Sequence, residues 1–229
     1  MNIDQMHIEI TQGVQRLASH IDYDLQKEEI DLHLNHVIKN FVLSHFTFSE
    51  NKGFEINHKS TQDIQTLIIE TEVSPDELDF VSVSPFKYQK FSYPEGAENK
   101  YYLPISISCE ITIGEGETAI TSVVKCDRVK QDSIYRLLDD PFNTTTKDKP
   151  LCTFANKKIQ VFNDSTFSVN KLYLTYIKEP ATVSSTAVTK VDCDLYITSH
   201  ETIVDQAIKR ILSIKDKFGP EGKYKELNS

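Results

Sequence analysis

Three residues near the start of the chain have the spacing of metal ligands on a helix. Glu29 precedes His33 by four positions, and His33 precedes His36 by three, so all three lie on neighbouring turns of a predicted helix. Imidazole and carboxylate groups bind Zn²⁺, which makes a metal-dependent enzyme one hypothesis. The HExxH pattern of zinc proteases is absent, and two histidines three apart also occur on ordinary polar faces. We therefore interpret these residues as a solvated helix face.

Motifs that would supply a nucleophile or a phosphate site are missing from the sequence. It contains no GxSxG elbow, no Walker-type loop and no GxGxxG after a strand. The glycines Gly114 and Gly116 are separated by a glutamate that would repel phosphate, which indicates a hairpin turn. Asp139 and Asp140 precede Pro141 and indicate a solvated loop. We predict no enzyme activity, no cofactor and no catalytic, cofactor-binding or metal-binding residue, while a cysteine–histidine pairing stays open.

Four cysteines are widely separated in the sequence. They are Cys109, Cys126, Cys152 and Cys193, and no CxxC pair occurs. Zinc sites and redox motifs use closely spaced pairs. We therefore predict reduced, partly buried thiols rather than disulfides or a zinc site.

Aromatic residues concentrate around a loop that contains Pro94 and Gly96. They are Tyr88, Phe91, Tyr93, Tyr101 and Tyr102. Tyrosine is enriched at protein interfaces, but these side chains would equally suit ordinary strands with solvated hydroxyl groups, and both interpretations stay open. A platform for stacking nucleobases would interleave basic residues, and Lys87, Lys90 and Lys100 keep that third hypothesis open.

The charge of the chain disfavours a protein that grips nucleic acid. The 229 residues carry a formal net charge of −9, whereas duplex binding gains its affinity from Lys and Arg that neutralise phosphates. An acidic channel wall would instead let a duplex slide past. No apolar run is long enough for a transmembrane helix, and the N-terminus lacks the pattern of a signal peptide, so we expect assembly in a cytosol.

The periodicity of apolar residues predicts an α+β fold in four parts. Residues 1–70 have helical periodicity, 71–197 read as strands with long loops, 198–218 as one helix, and 219–229 as a polar tail. The first helix has an apolar stripe at Met6, Ile10, Val14 and Leu17. The last helix has a wide apolar stripe after a capping box at Thr198 and Glu201. We predict a helical bundle of the N-terminal helices and the C-terminal helix, with an inserted, mainly antiparallel β region.

The β region contains clear strands and one long loop. Residues 105–113 alternate apolar and polar side chains, and residues 159–162 and 172–177 are rich in β-branched and aromatic side chains. Residues 139–150 have few apolar side chains and predict an exposed loop. Loops of this length in a compact domain usually contact another molecule or move.

Several stretches that together span most of the chain have the layout of one protein family. They are Met6–Ser19 with Lys27–Asn35, then Leu137–Asn143, then Leu174–Pro180, followed by Asp194–Leu195 and His200–Ala207. In this layout the chain resembles the head-to-tail connector and neck-ring proteins of short-tailed bacteriophages, especially the crAss-like phages of gut Bacteroidetes.

The resemblance implies a structural virion protein of the neck or tail. Its copies would form a closed, twelvefold ring that joins the portal to the tail and extends the DNA exit channel. The implied partners are other copies of the chain, the portal protein and adjacent tail or ring proteins, with double-stranded DNA passing without sequence-specific contacts and no membrane. The ring would assemble in the host cytoplasm, and the resemblance supplies no catalytic residue. The alternative is another virion-associated protein, such as a minor head, cargo or tail adaptor component.

Overall fold

The protein is mixed α+β and divides into two compact units. The computed structural model describes residues 1–17, 25–46, 48–49, 53–54, 62–76, 81–83, 86–96, 99–114 and 119–218. The helical unit comprises Met1–Leu67 and Pro180–Ser229, and the β unit comprises Ile68–Glu179. The sequence interpretation ended the β-rich part at residue 197, whereas the structure groups residues 180–197 with the helices. The predicted polar tail, 219–229, and residues 115–118 of the predicted hairpin turn lie outside the described residues.

The described elements follow one another as helices, strands and a final helix. In chain order they are α1 (Ile3–Leu17), α2 (Lys27–His45), β1 (Phe48–Ser49), β2 (Gly53–Phe54), α3 (a helical turn at 62–64 that continues as a 3-10 turn, Gln65–Leu67), β3 (Ile68–Val73), β4 (Val81–Val83), β5 (Phe86–Ser92), β6 (Tyr101–Ile113), β7 (Ile120–Lys125), β8 (Asp127–Arg128), α4 (Ile134–Leu138), β9 (Leu151–Ala155), β10 (Lys158–Asn163), β11 (Phe167–Lys178) and α5 (His200–Phe218).

In the helical unit, α5 contacts both α1 and α2. The predicted stripe of α1 is confirmed at Met6, Ile10 and Val14, which are fully buried. Leu17 departs from the stripe, because it is the last residue of α1 and is 70% exposed. The opposing apolar side chains of α5 are also buried, namely Ile203, Val204, Ala207, Ile208 and Ile211.

The first turn of α1 is capped twice. Asn2 Oδ1 accepts the Gln5 N–H at 2.9 Å and the Asn2 N–H donates to Gln5 Oε1 at 3.0 Å, which is a reciprocal capping box. Asp192 Oδ1 accepts the Ile3 N–H at 2.7 Å. The capping box predicted for α5 is wrong, since a 3-10 turn precedes this helix and the Thr198 hydroxyl donates to Asp63 Oδ1 at 3.0 Å.

The segment that returns from β11 is held by two polar residues one turn apart on α2. Asn35 Oδ1 accepts the Val183 N–H at 2.8 Å, and Asn35 Nδ2 donates to the Val183 carbonyl at 3.0 Å. Asp31 Oδ2 accepts from both the N–H and the hydroxyl of Ser185, at 2.9 and 3.0 Å. These bonds satisfy the backbone of a segment without regular structure and explain why it belongs to the helical unit.

Gly13 allows close packing between α1 and α5. A Cβ atom at this position would clash with Cδ1 of the buried Ile208. We expect Gly13→Ala to destabilise the wild-type chain by about 1 kcal/mol, because the clash outweighs the higher helix propensity of alanine.

The test of this packing is a double-mutant cycle measured by urea unfolding. Ile208→Val removes the clashing Cδ1 atom. In that background, Gly13→Ala should become neutral or stabilising by up to about 1 kcal/mol, the gain in helix propensity. An equal effect of Gly13→Ala in both backgrounds would contradict the packing account.

The β unit is built from two sheets. The four-stranded sheet has the order β3-β11-β6-β7 and is antiparallel throughout. The five-stranded sheet has the order β4-β5-β10-β9-β8, with a parallel pairing between β8 and β9. The chain passes from the first sheet to the second at Cys126, between β7 and β8. Strands β9 and β10 are joined by Asn156 and Lys157, both with positive φ, as in a type I′ hairpin.

Side chains from both sheets form one hydrophobic core. Its central members include Phe91, Ile159 and Val161 of the five-stranded sheet and Leu172 and Leu174 of the four-stranded sheet. A second cluster packs α4 onto the five-stranded sheet, through Ile134, Leu138, Leu151 and Phe162. The second cluster fixes the start of the loop that follows α4.

Candidate interaction surface

The three residues with metal-ligand spacing do not share one environment. His33 is buried and its Nε2 lies 4.0 Å from Glu29 Oε1, whereas His36 is exposed. A solvated face therefore describes His36 but is wrong for His33, which packs inward. Across the described residues, no group of three or more His, Cys, Asp or Glu side chains is arranged to hold a metal ion.

All four cysteines are buried, free thiols. Cys109, Cys126 and Cys152 belong to the core between the two sheets. Hydrogen bonds from Cys109 and Cys152, together with burial, raise the pKa of Cys126. Burial raises the pKa of Cys193 to about 11, so this thiol is protonated at neutral pH. A buried, protonated thiol is a poor nucleophile.

In the predicted aromatic group, Phe91, Tyr93 and Tyr101 pack on the core of the β unit. Tyr93 and Tyr101 stack at 4.2 Å between ring centroids, and Phe91 is fully buried. The Tyr176 hydroxyl donates to the Asn99 carbonyl at 2.7 Å and holds the loop. Burial raises the pKa values of Tyr93 and Tyr101. Of the two open interpretations, the structure favours strand residues that pack on the core.

A serine, an aspartate and a histidine meet in the helical unit, but their order is not that of a catalytic triad. His7 Nε2 lies 2.8 Å from Asp31 Oδ1, and the Ser185 hydroxyl donates to Asp31 Oδ2. In a catalytic triad the imidazole lies between the other two groups and accepts the serine proton. Here the carboxylate lies in the middle, and all three residues are buried. The arrangement can join α1, α2 and the returning segment, but it does not activate Ser185.

His200 is a buried imidazole whose neutral form is favoured by the fold. Its Nε2 lies 3.0 Å from the Leu195 carbonyl, and its Nδ1 lies 2.9 Å from the Met1 nitrogen. Burial lowers the pKa of His200 below its ordinary value of 6.5, and the positive Met1 nitrogen lowers it further.

The lowered pKa of His200 predicts a loss of stability in acid. As the pH falls below about 6.5, the unfolded chain binds a proton at this position before the folded chain does, so the contribution is present above 6.5 and is lost below it. We expect His200→Gln to cost stability at pH 7.5 and less at pH 5.0, measured by urea unfolding. An equal cost at both pH values would contradict this assignment.

The loop that follows α4 presents an aromatic side chain on a hydrogen-bonded turn. Asp140 Oδ1 accepts the Phe142 N–H at 3.0 Å, and Asp140 Oδ2 accepts from Asn143 Nδ2 at 2.7 Å. These bonds, with that from Asn143 the larger cause, lower the pKa of Asp140. Asp140 and Asn143 therefore shape this turn through their side-chain hydrogen bonds. Phe142 itself is 94% exposed, so almost none of its ring contacts the rest of the chain.

The far end of the same loop is anchored to the sheet. Thr145 is fully buried, and its hydroxyl donates to the Phe162 carbonyl at 2.8 Å while accepting the Leu151 N–H at 3.2 Å. Residues Thr146 and Lys149 close a tight turn through two backbone hydrogen bonds. Tyr135 of α4 adds a second exposed aromatic ring, at 59%. The predicted loop at 139–150 is therefore an ordered surface that exposes Phe142.

Comparison with known proteins adds no family assignment. No protein-family model matches the chain, and no curated protein matches its sequence. In the described part of the chain, no helix has both the length and the apolar character needed to cross a membrane.

The loop at 139–150, which exposes Phe142, is suited to binding another protein. An exposed phenylalanine on an ordered turn can enter an apolar pocket with little loss of conformational entropy, because its backbone is already fixed. The composition of residues 139–150 predicts the loop. It does not predict that Phe142 is exposed, because a phenylalanine in a loop more often folds back onto the core.

Proposed function

We propose that this chain is a structural protomer of a multi-subunit ring in the neck or tail of a bacteriophage. The ring joins the portal to the tail and extends the channel through which DNA leaves the head. The proposal begins from the resemblance of the sequence to neck-ring proteins. In this function the chain has no catalytic role, and its surfaces bind copies of itself and adjacent virion proteins.

The observation that carries the proposal is the exposure of Phe142 on an anchored turn. Burying a phenylalanine side chain contributes roughly 1.5–3 kcal/mol, and this contribution is unused in the isolated chain. Aromatic side chains of this kind are frequent anchors of protein interfaces. An assembly protein uses such an anchor to dock on its neighbour.

Three further features suit a ring protomer. We propose that α1, α2 and α5 act as a helical bundle that packs beside the bundles of neighbouring copies around an axis. The β unit enters and leaves this bundle at residues 68 and 179 and would reach adjacent subunits. The net charge of −9 suits a channel wall, since acidic side chains repel phosphates and let a duplex slide.

Gold labelling of particles tests the proposal against its alternative. Antibodies against the chain are applied to intact particles, to tail-less heads and to isolated tails of a phage that encodes it. The proposal predicts label at the junction of head and tail. Label over the head shell or at tail fibres would overturn the ring and favour a minor head, cargo or tail adaptor component. Absence from all particles would overturn a virion function altogether.

A further inference from the structure

Strand β7 forms an uncovered edge of the four-stranded sheet. Five of its six residues are exposed, including Ile120 at 65% and Val123 at 60%. Proteins usually protect edge strands with charges, prolines or bulges, because a free edge pairs with other chains. Strand β7 has a single charge, Lys125 at its end, and its pairing with β6 contains no bulge. This edge is therefore open to an additional strand.

The alternation of the antiparallel ladder identifies the free backbone groups of β7. The Cys126 N–H donates to the Ile107 carbonyl at 2.9 Å, so even-numbered residues of β7 bond to β6. Thr121, Val123 and Lys125 then direct their N–H and C=O groups away from the sheet. These three residues can bond to an added strand.

The opposite edge of the same sheet, β3, matches β7 in length and direction. Both strands have six residues. Because the four strands alternate in direction, β3 of a second copy can follow β7 as the next antiparallel strand. When the hydrogen-bond alternation is followed across β6 and β11, the residues of β3 whose backbone groups point outward are Ile68, Glu70 and Glu72. Both glutamates are exposed.

We propose that β7 of one copy pairs antiparallel with β3 of the next copy. This inference rests on the proposed ring, whose subunit contact it names. With full overlap of the two strands, Val123 lies opposite Glu70 and Thr121 lies opposite Glu72, so the outward backbone groups meet each other. Lys125 then lies diagonal to Glu70, a distance that its long side chain can span.

In the same register, the core-facing side chains of β7 lie beside the core-facing side chains of β3. Ile120 and Val124 lie on the core side of β7, because Val124 pairs with the buried Cys109. Val73 and Ile69 lie on the core side of β3, where they pair with the buried Leu172 and Tyr176. Full overlap places Ile120 opposite Val73 and Val124 opposite Ile69. Apolar side chains therefore meet apolar side chains across the contact.

Charge complementarity favours β3 over a second β7 as the partner strand. A two-fold pairing of β7 with itself would place Lys125 opposite Thr121 and leave no acid on the partner strand. Pairing with β3 supplies Glu70 and is heterologous, so every copy offers one β7 and one β3 edge. Contacts of this type propagate from copy to copy, and they close into a ring when the rotation between neighbouring copies closes.

Cross-linking of the full chain through introduced cysteines tests the partner strand. In the double variant Val123→Cys/Glu70→Cys, the new thiol at position 123 of one copy lies within disulfide range of the new thiol at position 70 of the next copy. Oxidation should therefore give a ladder of dimers, trimers and larger species. The wild-type chain, whose own four thiols are buried, is the control and should give no ladder. Dimers from Val123→Cys alone would show a two-fold contact, and absence of any cross-link in the double variant would also overturn the proposal.

Sedimentation of matched variants tests the edge itself. Val123→Pro removes an outward N–H that β6 does not use, so the monomer should keep its circular dichroism and midpoint of thermal unfolding. We expect self-association to weaken at least tenfold, while Val123→Thr retains it. Unchanged association of Val123→Pro would overturn the proposal. If the double-cysteine variant gives the ladder but the chain is absent from phage particles, the proposed ring function is wrong and the strand contact stands. If the Val123→Pro variant still forms the ring in particles, the strand contact is wrong and the ring function stands.

Discussion

Asp31→Ala is expected to lower the free energy of unfolding by about 3–5 kcal/mol, because it removes the shared acceptor of three buried hydrogen bonds. The substitution leaves His7 and both donors of Ser185 without their acceptor inside the helical unit. An unsatisfied buried donor costs roughly 1–3 kcal/mol. Water cannot readily replace Asp31 here, because His7 and Ser185 are both buried. Urea unfolding at pH 7.5 measures the change.

Two matched variants separate the buried contacts of Asp31 from the loss of a carboxylate in general. Asp205→Ala removes an acid from the exposed face of α5 and should change stability by less than about 0.5 kcal/mol. Ser185→Ala removes one of the three donors and should cost about 1 kcal/mol. If Asp31→Ala costs no more than Asp205→Ala, the joining role of Asp31 is wrong.

Phe142→Ala is expected to reduce incorporation into particles by about 30-fold, which corresponds to the loss of an interface anchor worth about 2 kcal/mol. Its free energy of unfolding should stay within about 0.5 kcal/mol of wild type, because the exposed ring supports nothing in the isolated chain. The measurement is a competition in which wild-type and variant chains are produced together. Mass spectrometry of purified particles then gives the ratio of the two chains.

The controls of this competition identify what Phe142 contributes. Phe142→Leu keeps an apolar anchor and should lose less incorporation than Phe142→Ala. Val188→Ala truncates another exposed apolar side chain, in the helical unit, and should be incorporated like wild type. Equal incorporation of Phe142→Ala and wild type would contradict the docking role of this turn.

Local features of the fold follow from the sequence because their causes are local. The stripe of α1 at Met6, Ile10 and Val14 repeats with the period of a helix, and residues 105–113 alternate with the period of a strand. Both became elements with the expected buried faces. The turn after α4 also has a local cause, since Asp140 bonds to the backbone N–H two residues later, as aspartate commonly does in turns.

Features that depend on distant residues could not be predicted in this way. Asp31 is buried on α2, where Ser185, 154 positions later in the chain, donates to it. The order β3-β11-β6-β7 places β11 between β3 and β6, both far from it in sequence, and no local pattern encodes this placement. The cap at Thr198 failed because Asp63 competes for its hydroxyl.

The candidate interaction surface was predicted only as a polar loop. The composition of residues 139–150 predicted that they are exposed. It could not predict that the buried Thr145 anchors them to the sheet. The free edge of β7 has no sequence signal of its own, because exposure of Ile120 and Val123 depends on which strand ends the sheet. The Phe142 turn and the β7 edge could be identified only from the structure, which shows the neighbours of each strand.

The ring function is tested most directly by cryo-electron microscopy of the neck of a phage that encodes this chain. The account predicts a closed ring of copies around the DNA channel, with Phe142 buried against a neighbouring protein. An intact neck whose rings are all built from other proteins would contradict it.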